Sequence, residues 1–287
     1  MAKTVTRTDH TFVDAHGVTI HYYVWAAPKP KAVLQLTHGL GEHALRYERL
    51  AQDLVAAGYS VWADDHRGHG ATGMQQHDGD ASRLGRLGPG GLRATVDDVR
   101  HFTAIIREHN PGVPIVLFGQ SWGSLMAQKV IDGNAGDYDG VVLAGTAYRT
   151  LLDMNSGDLS KRHRHLGDTG YEWLSRDPTV ARAFLDDPLT FFADVPKLFG
   201  IPDGLRLLGR PTRTMEKNLP ILILVGSDDT LGGERSAAKL ANAYVRRSKL
   251  TDVEAIIYPD ARHEVFNETN RDEVVADLIG WLDAHFA

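Results

Sequence analysis

The sequence predicts an α/β protein: a mostly parallel sheet of about eight strands flanked by helices, with an inserted, mainly helical segment. Three observations predict it. Short apolar runs lack the polar alternation of a half-exposed strand, as in strands buried on both faces. Stretches with helical spacing separate these runs, so successive strands are joined by crossovers. The rhythm breaks between Thr150 and Asn218 and then resumes. The expected division is a core of 1–147 and 219–287, with a cap or lid subdomain inserted at 148–218.

Val18–Trp25 alternates like a strand, and Ala32–Thr37 is a short apolar run ending in His38-Gly39. Glu42–Ala57 has helical spacing through Leu45, Leu50, Leu54 and Val55, with Gly58 as a stop. Tyr59–Ala63 reads as a strand. Leu92–His109 places Val96, Val99, Phe102 and Ile106 on one helical face, and Asn110-Pro111 ends it. Ile115–Phe118 is a bare apolar strand, followed by a helix from about Ser124 to Ile131. Val141–Ala144 is another buried strand. After the break come strand Ile221–Val225, a helix near Glu234–Arg247, strand Val253–Tyr258 and a final helix Glu273–Phe286. The interrupted stretch is apolar but Pro- and Gly-punctuated, with Leu151, Met154, Trp173, Phe184, Phe191, Phe192 and Phe199 and no clear strand.

Composition narrows the chemistry. A formal charge of -6 disfavours a nucleic-acid partner, because phosphates are repelled on average. The densest basic run, Lys161–His165, is short and reads as a solvated loop. Cysteine is absent, which removes disulfides, a thiol nucleophile and thiolate metal sites, and fits a reducing cytoplasm. Met1–His10 is polar, so no secretory signal is expected, and no apolar run is long enough to span a membrane.

Gly119-Gln120-Ser121-Trp122-Gly123 joins a predicted strand to a predicted helix. In that context G-x-S-x-G marks a serine forced into a tight turn, its hydroxyl projecting from the sheet edge. A hydroxyl needs a base to become nucleophilic. Of 14 histidines, His263 stands out, because its loop follows the last strand at the edge where parallel sheets carry their chemistry. A carboxylate must hold that imidazole, and Asp228-Asp229 follows strand Ile221–Val225. Spacing from the strand end favours Asp229, with Asp228 as a turn or capping residue. The loop His38-Gly39-Leu40-Gly41-Glu42-His43 can supply a second oxyanion amide, so the backbone N–H groups of Leu40 and Trp122 are the donor candidates. Asp65-His66-Arg67-Gly68-His69-Gly70 matches no metal signature and reads as a turn with buried charge–histidine hydrogen bonds.

The stretch His38–His43 with Arg46-Tyr47, the run Asp65–Gly70 and the ending His263-Glu264-Val265-Phe266-Asn267-Glu268 resemble the monoacylglycerol lipase and lysophospholipase branch of the α/β-hydrolases. That branch is often grouped under a serine aminopeptidase S33 domain name. The resemblance covers nearly the whole chain from Phe12. It implies the α/β-hydrolase fold and cofactor-free hydrolysis of single-chain apolar esters by Ser121, Asp229 and His263, with oxyanion amides at Leu40 and Trp122. It also implies a small-molecule ester as partner and transient contact with a lipid surface. One departure is Gln120-Ser121-Trp122-Gly123-Ser124, where the branch usually has histidine and methionine around the serine. Ser-Trp-Gly-Ser is similar to proline iminopeptidases, whose oxyanion loop is His-Gly-Gly-Pro-Gly instead. An aminopeptidase would need an acidic cap patch, for which Glu172, Asp186, Asp187 and Asp194 are available. A third reading is a non-catalytic ligand receptor on the same fold, which an intact triad disfavours.

Overall fold

The computed structural model describes residues 5–155 and 157–287. Its centre is one eight-stranded sheet in the order β1-β2-β4-β3-β5-β6-β7-β8. The strands are β1 (Thr8–Val13), β2 (Thr19–Trp25), β3 (Val33–Thr37), β4 (Ser60–Asp64), β5 (Ile115–Gln120), β6 (Gly140–Ala144), β7 (Ile221–Gly226) and β8 (Val253–Tyr258). β1 pairs antiparallel with β2, and β2 with β4; every other pairing is parallel. The helices are α1 (Glu48–Ala56), α2 (Gly70–Gln76), α3 (Gly91–His109), α4 (Trp122–Asn134), α5 (Pro178–Asp186), α6 (Val195–Arg206), α7 (Gly233–Arg246) and α8 (Arg271–Phe286).

The burial pattern explains why the central strands carry no polar alternation. Leu34, Leu36, Val116, Phe118, Val142, Leu222 and Leu224 face one layer with Leu50 and Leu54 of α1 and Val274, Leu278 and Trp281 of α8. The intervening Val33, Ile115, Leu117, Val141, Leu143, Ile221 and Ile223 face the other, with Val99, Phe102 and Ile106 of α3, Val130 and Ile131 of α4, and Leu240 of α7. Successive side chains point to opposite faces, and both faces are covered. Each such side chain stabilises the fold by roughly 1.5–3 kcal/mol relative to exposure.

Two elements escape the sequence reading. β1 is an edge strand with almost every residue exposed, so it carries no apolar signal. α2 contains Gly70 and Gly73 and is held by tertiary bonds, Ala71 N–H donating to Asp65 Oδ2 at 2.7 Å. The expected helix from Glu42 begins at Glu48, because Ala44–Tyr47 forms a tighter 3-10 turn first.

Between β6 and β7 the described residues hold no strand. They contain α5 of 9 residues, α6 of 12 and a 3-10 turn at Arg164–Leu166. The regular elements of 148–218 are thus all helical, joined by long turns and loops. Pro and Gly account for this: α6 itself is kinked where Gly200 takes φ 72°, followed by Pro202. Buried Leu87, Leu92, Trp122, Leu125, Met126, Met154, Leu207 and Leu231, with partly buried Phe199, join this stretch to α3 and α4. Among the described residues no helix is long and apolar enough to cross a membrane.

Candidate active site

Ser121 lies between β5 and α4 at φ 53° and ψ −122°, a backbone conformation disfavoured for a side-chain-bearing residue. The turn is enforced by its neighbours. A Cβ on Gly119 would come 2.6 Å from Ser124 Cα, and one on Gly123 would come 2.1 Å from the Thr37 carbonyl oxygen. Both contacts are with backbone, which cannot swing away, so only glycine fits at either flank. Ser124 Oγ donates to the Ser121 carbonyl at 2.6 Å and is bonded to the Thr146 hydroxyl at 2.8 Å, which holds the turn from below.

Asp229 and His263 come from the loops after β7 and β8 and meet 34 residues apart in sequence. His263 Nδ1–H donates to Asp229 Oδ1 at 2.9 Å, and the Leu231 N–H donates to the same oxygen at 2.8 Å. Nδ1 is thereby committed as the donor, which leaves Nε2 as the basic nitrogen. Nε2 is buried and has no hydrogen-bond partner among the described residues. Burial works to lower the His263 pKa, but the Asp229 charge and hydrogen bond, with Glu264 and Glu42, outweigh it, and the net direction is upward. Gln120, beside Ser121, donates from Nε2 to the His263 carbonyl at 3.2 Å and ties the serine turn to the histidine loop. Trp173 of the insert covers the imidazole, with ring centroids 4.8 Å apart.

Asp228 points elsewhere. Its carboxylate pairs with Arg162 Nη2 at 2.5 Å and His163 Nε2 at 2.7 Å. Asp228 lies in the turn after β7, as expected, and its carboxylate also fastens the insert to the sheet edge. The basic run it meets is no solvated loop at His163, which is buried.

The loop after β3 lies against Ser121, since a Cβ on Gly39 would come 3.2 Å from Ser121 Cβ. His38 Nδ1–H donates to the Gly39 carbonyl at 2.7 Å, and His38 Nε2 accepts from the His66 N–H at 3.0 Å. The Gly39–Leu40 peptide is planar, so fixing its carbonyl also fixes the opposite direction of the Leu40 N–H. Burial, with His66 and His69 nearby, holds the His38 pKa well below the ordinary value, so the ring stays neutral. Trp122 is the first residue of α4, so its N–H has no carbonyl four residues back to bond.

Most of the polar run after β4 is bonded internally, although His66 Nε2 and His69 Nε2 are buried without a partner among the described residues. Arg67 pairs with Asp14 and, at 2.6 Å, with Asp98; Asp65 accepts from Tyr23 Oη, Ala44 N–H and Ala71 N–H at 2.7–2.9 Å. Among the described residues no group of three or more side chains is placed to hold a metal ion. Three of the four candidate acids of the insert are also engaged. Glu172 accepts from Thr169, Asp187 from His43 at 2.8 Å, and Asp194 caps α6; Asp186 lies at the surface. Phe191 packs inward, 5.2 Å from His69, whereas Phe192 is 66% exposed. Sequence reasoning gave no role to His38, Glu42 or Arg46, whose contacts join loops remote in sequence.

Residues 28–270 match the family described as serine aminopeptidase, S33. The monoacylglycerol lipase of Mycolicibacterium smegmatis is 32% identical over 98% of this chain and 98% of its own length. The human monoglyceride lipase is 29% identical over 90% of this chain and 88% of its own. Among solved structures, a thermostable carboxyl esterase from Bacillus coagulans superposes with a TM-score of 0.83 at 23% identity, covering 99% of this chain and 100% of that one. A soluble variant of the Saccharomyces cerevisiae monoglyceride lipase gives 0.75 at 19% identity, covering 100% and 96%.

Proposed function

The chain belongs to the serine aminopeptidase S33 family of α/β-hydrolases, and from that premise we propose a cofactor-free serine hydrolase of monoacylglycerols and similar single-chain apolar esters. It is a carboxylic ester hydrolase. The observation that carries the assignment of residues is the buried His263–Asp229 pair, with Nε2 unbonded, tied through Gln120 to the strained turn of Ser121.

His263 Nε2 takes the Ser121 hydroxyl proton as Oγ attacks the ester carbonyl. The carbonyl oxygen gains negative charge, and the Leu40 and Trp122 N–H groups stabilise it. Collapse expels the alcohol, which receives the proton from Nε2, and leaves an acyl–Ser121 ester. Water, deprotonated by the same nitrogen, then releases the acid and restores Ser121. Asp229 holds the Nδ1–H tautomer throughout and stabilises the imidazolium.

Residues 148–218 act as the cap over this site. Trp173 over His263, Phe191 against His69 and Phe199 5.4 Å from Trp122 supply its apolar lining. The exposed Leu151, Leu152, Phe192, Ile201 and Leu205 of the same stretch support transient contact with a lipid surface. The monoacylglycerol and monoglyceride lipase relatives favour the ester reading over the peptidase one, and of the acids available for an amine patch Glu172, Asp187 and Asp194 are already engaged in local hydrogen bonds. The absence of cysteine supports a cytoplasmic setting. The test is kcat/KM for p-nitrophenyl esters, monoacylglycerols and aminoacyl anilides on one preparation. Monoacylglycerols should lead, and anilides outrunning every ester would overturn the reading.

A further inference from the structure

We propose that Arg46 is a positioning residue that couples the oxyanion loop to the loop of the catalytic base through Glu42 and Glu264. The inference rests on the ester-hydrolase reading of the same site. Arg46 sits in the 3-10 turn after the His38–His43 loop. Its guanidinium grips Glu264 with both ends, Nη1 to Oε1 at 2.8 Å and Nη2 to Oε2 at 2.9 Å. Nη1 also bonds Glu42 Oε2. Glu42 Oε1 in turn accepts the Gly39 N–H at 2.6 Å and the Tyr47 hydroxyl at 2.7 Å. A continuous chain of bonds therefore runs from the Gly39 amide, next to the Leu40 amide, to Glu264, next to His263.

All three charged side chains are nearly inaccessible, at 12%, 5% and 7% exposure for Arg46, Glu42 and Glu264. The Phe184 ring of the insert closes over the guanidinium at 4.7 Å. Two buried carboxylates share one cation. Without it they repel each other or one takes up a proton, and either event moves the loop it belongs to. Burial drives the Glu264 carboxyl upward, but its pairing with Arg46 prevails and holds it below the ordinary value. The titratable groups facing this cluster are Tyr47, His263 and, from the insert, Asp187 paired with His43. Nothing places Arg46 against Ser121 or His263 directly, so its effect passes through the two loops. Lysine cannot replace it, because a single ammonium cannot span both carboxylates in a fork.

The test uses Arg46→Lys, Arg46→Met, Glu264→Gln and the double variant Arg46→Met/Glu264→Gln. For each, kcat and KM are measured with p-nitrophenyl butyrate, together with melting temperature. The rate of labelling by a fluorophosphonate reads serine reactivity whatever the preferred substrate. Arg46→Lys should lower kcat about 10-fold and Arg46→Met about 100-fold, with KM within about 2-fold, as expected when reacting groups are displaced rather than binding lost. Labelling should fall in step. The double variant should lose little more than the worse single one, because both act through one chain of bonds. Glu264→Gln removes a negative charge beside His263, so its kcat/KM limb should shift to lower pH. Folded Arg46→Lys with unchanged kcat and labelling, or multiplicative losses in the double variant, would overturn the proposal. If Arg46→Met does not fold, Arg46→Lys and Glu264→Gln decide. A wild-type protein that labels but turns over no ester would refute the ester reading alone, and the labelling series would still judge Arg46.

Discussion

Asp229→Asn and Asp228→Asn remove adjacent charges and should have very different consequences. Asp229 Oδ1 accepts two bonds, from His263 Nδ1 and the Leu231 amide, while Oδ2 is buried without a partner among the described residues. An asparagine has two orientations there, and both are costly. With its oxygen kept at the Oδ1 position, the amide nitrogen falls at the unpartnered place, a buried donor worth about 1–3 kcal/mol of destabilisation. With the amide turned, two donors face each other at Nδ1, and the imidazole is forced into the tautomer that carries its proton on Nε2, where it cannot accept from Ser121. The second outcome corresponds to a loss on the order of 10⁴ in kcat in the serine-protease precedent. The pH profile gives an independent sign. His263 must be neutral to act, so kcat/KM should rise with pH along a limb above the ordinary histidine value, because Asp229 raises the folded pKa. Without that carboxylate, burial acts with less opposition, the pKa falls, and the residual activity of Asp229→Asn should rise at lower pH than wild type. Asp228→Asn instead loosens Arg162 and His163 at a partly exposed site, and should leave kcat within about 3-fold and the limb in place. The assay is p-nitrophenyl butyrate hydrolysis from pH 5 to 9 with melting temperatures alongside. Equal losses in the two variants, or an unmoved limb in Asp229→Asn, would refute the assignment.

Ser121→Ala should lower kcat by roughly 10⁴–10⁶ while the protein melts at or above the wild-type temperature, since the triad acts as a unit and the strained residue is not itself stabilising; activity above about a tenth of wild type would remove Ser121 from the role. Gly123→Ala should fail to give active folded protein, because its Cβ would sit 2.1 Å from the Thr37 oxygen; a variant melting within a few degrees of wild type would contradict that packing. Phe191→Asp should flatten the rise of kcat/KM with acyl chain length, which otherwise gains up to about 0.8 kcal/mol per buried methylene, whereas Phe192→Asp should spare soluble esters and weaken turnover on vesicles. An identical chain-length profile in wild type and Phe191→Asp would place that ring outside the pocket.

The sequence by itself determined the sheet, because a strand buried on both faces must be apolar at every position, and runs such as Ile115–Phe118 and Ile221–Val225 have no other economical fold. It marked Ser121 for the same kind of reason, since glycines at 119 and 123 are what a strand-to-helix turn of that tightness requires. The edge strand Thr8–Val13 stayed hidden because an exposed strand has no hydrophobic period to read, and the helix bounds within the insert were not legible because scattered Phe and Leu residues carry no clear helical period. Spacing from the strand end favoured Asp229 over Asp228, but only the tertiary structure gave the two carboxylates their partners, since which way the loop turns each depends on contacts remote in sequence: one toward His263, the other toward Arg162 and His163. The chain of bonds from Gly39 through Glu42 and Arg46 to Glu264 spans more than two hundred residues, and hydrogen bonds at that separation leave no periodic trace in the sequence.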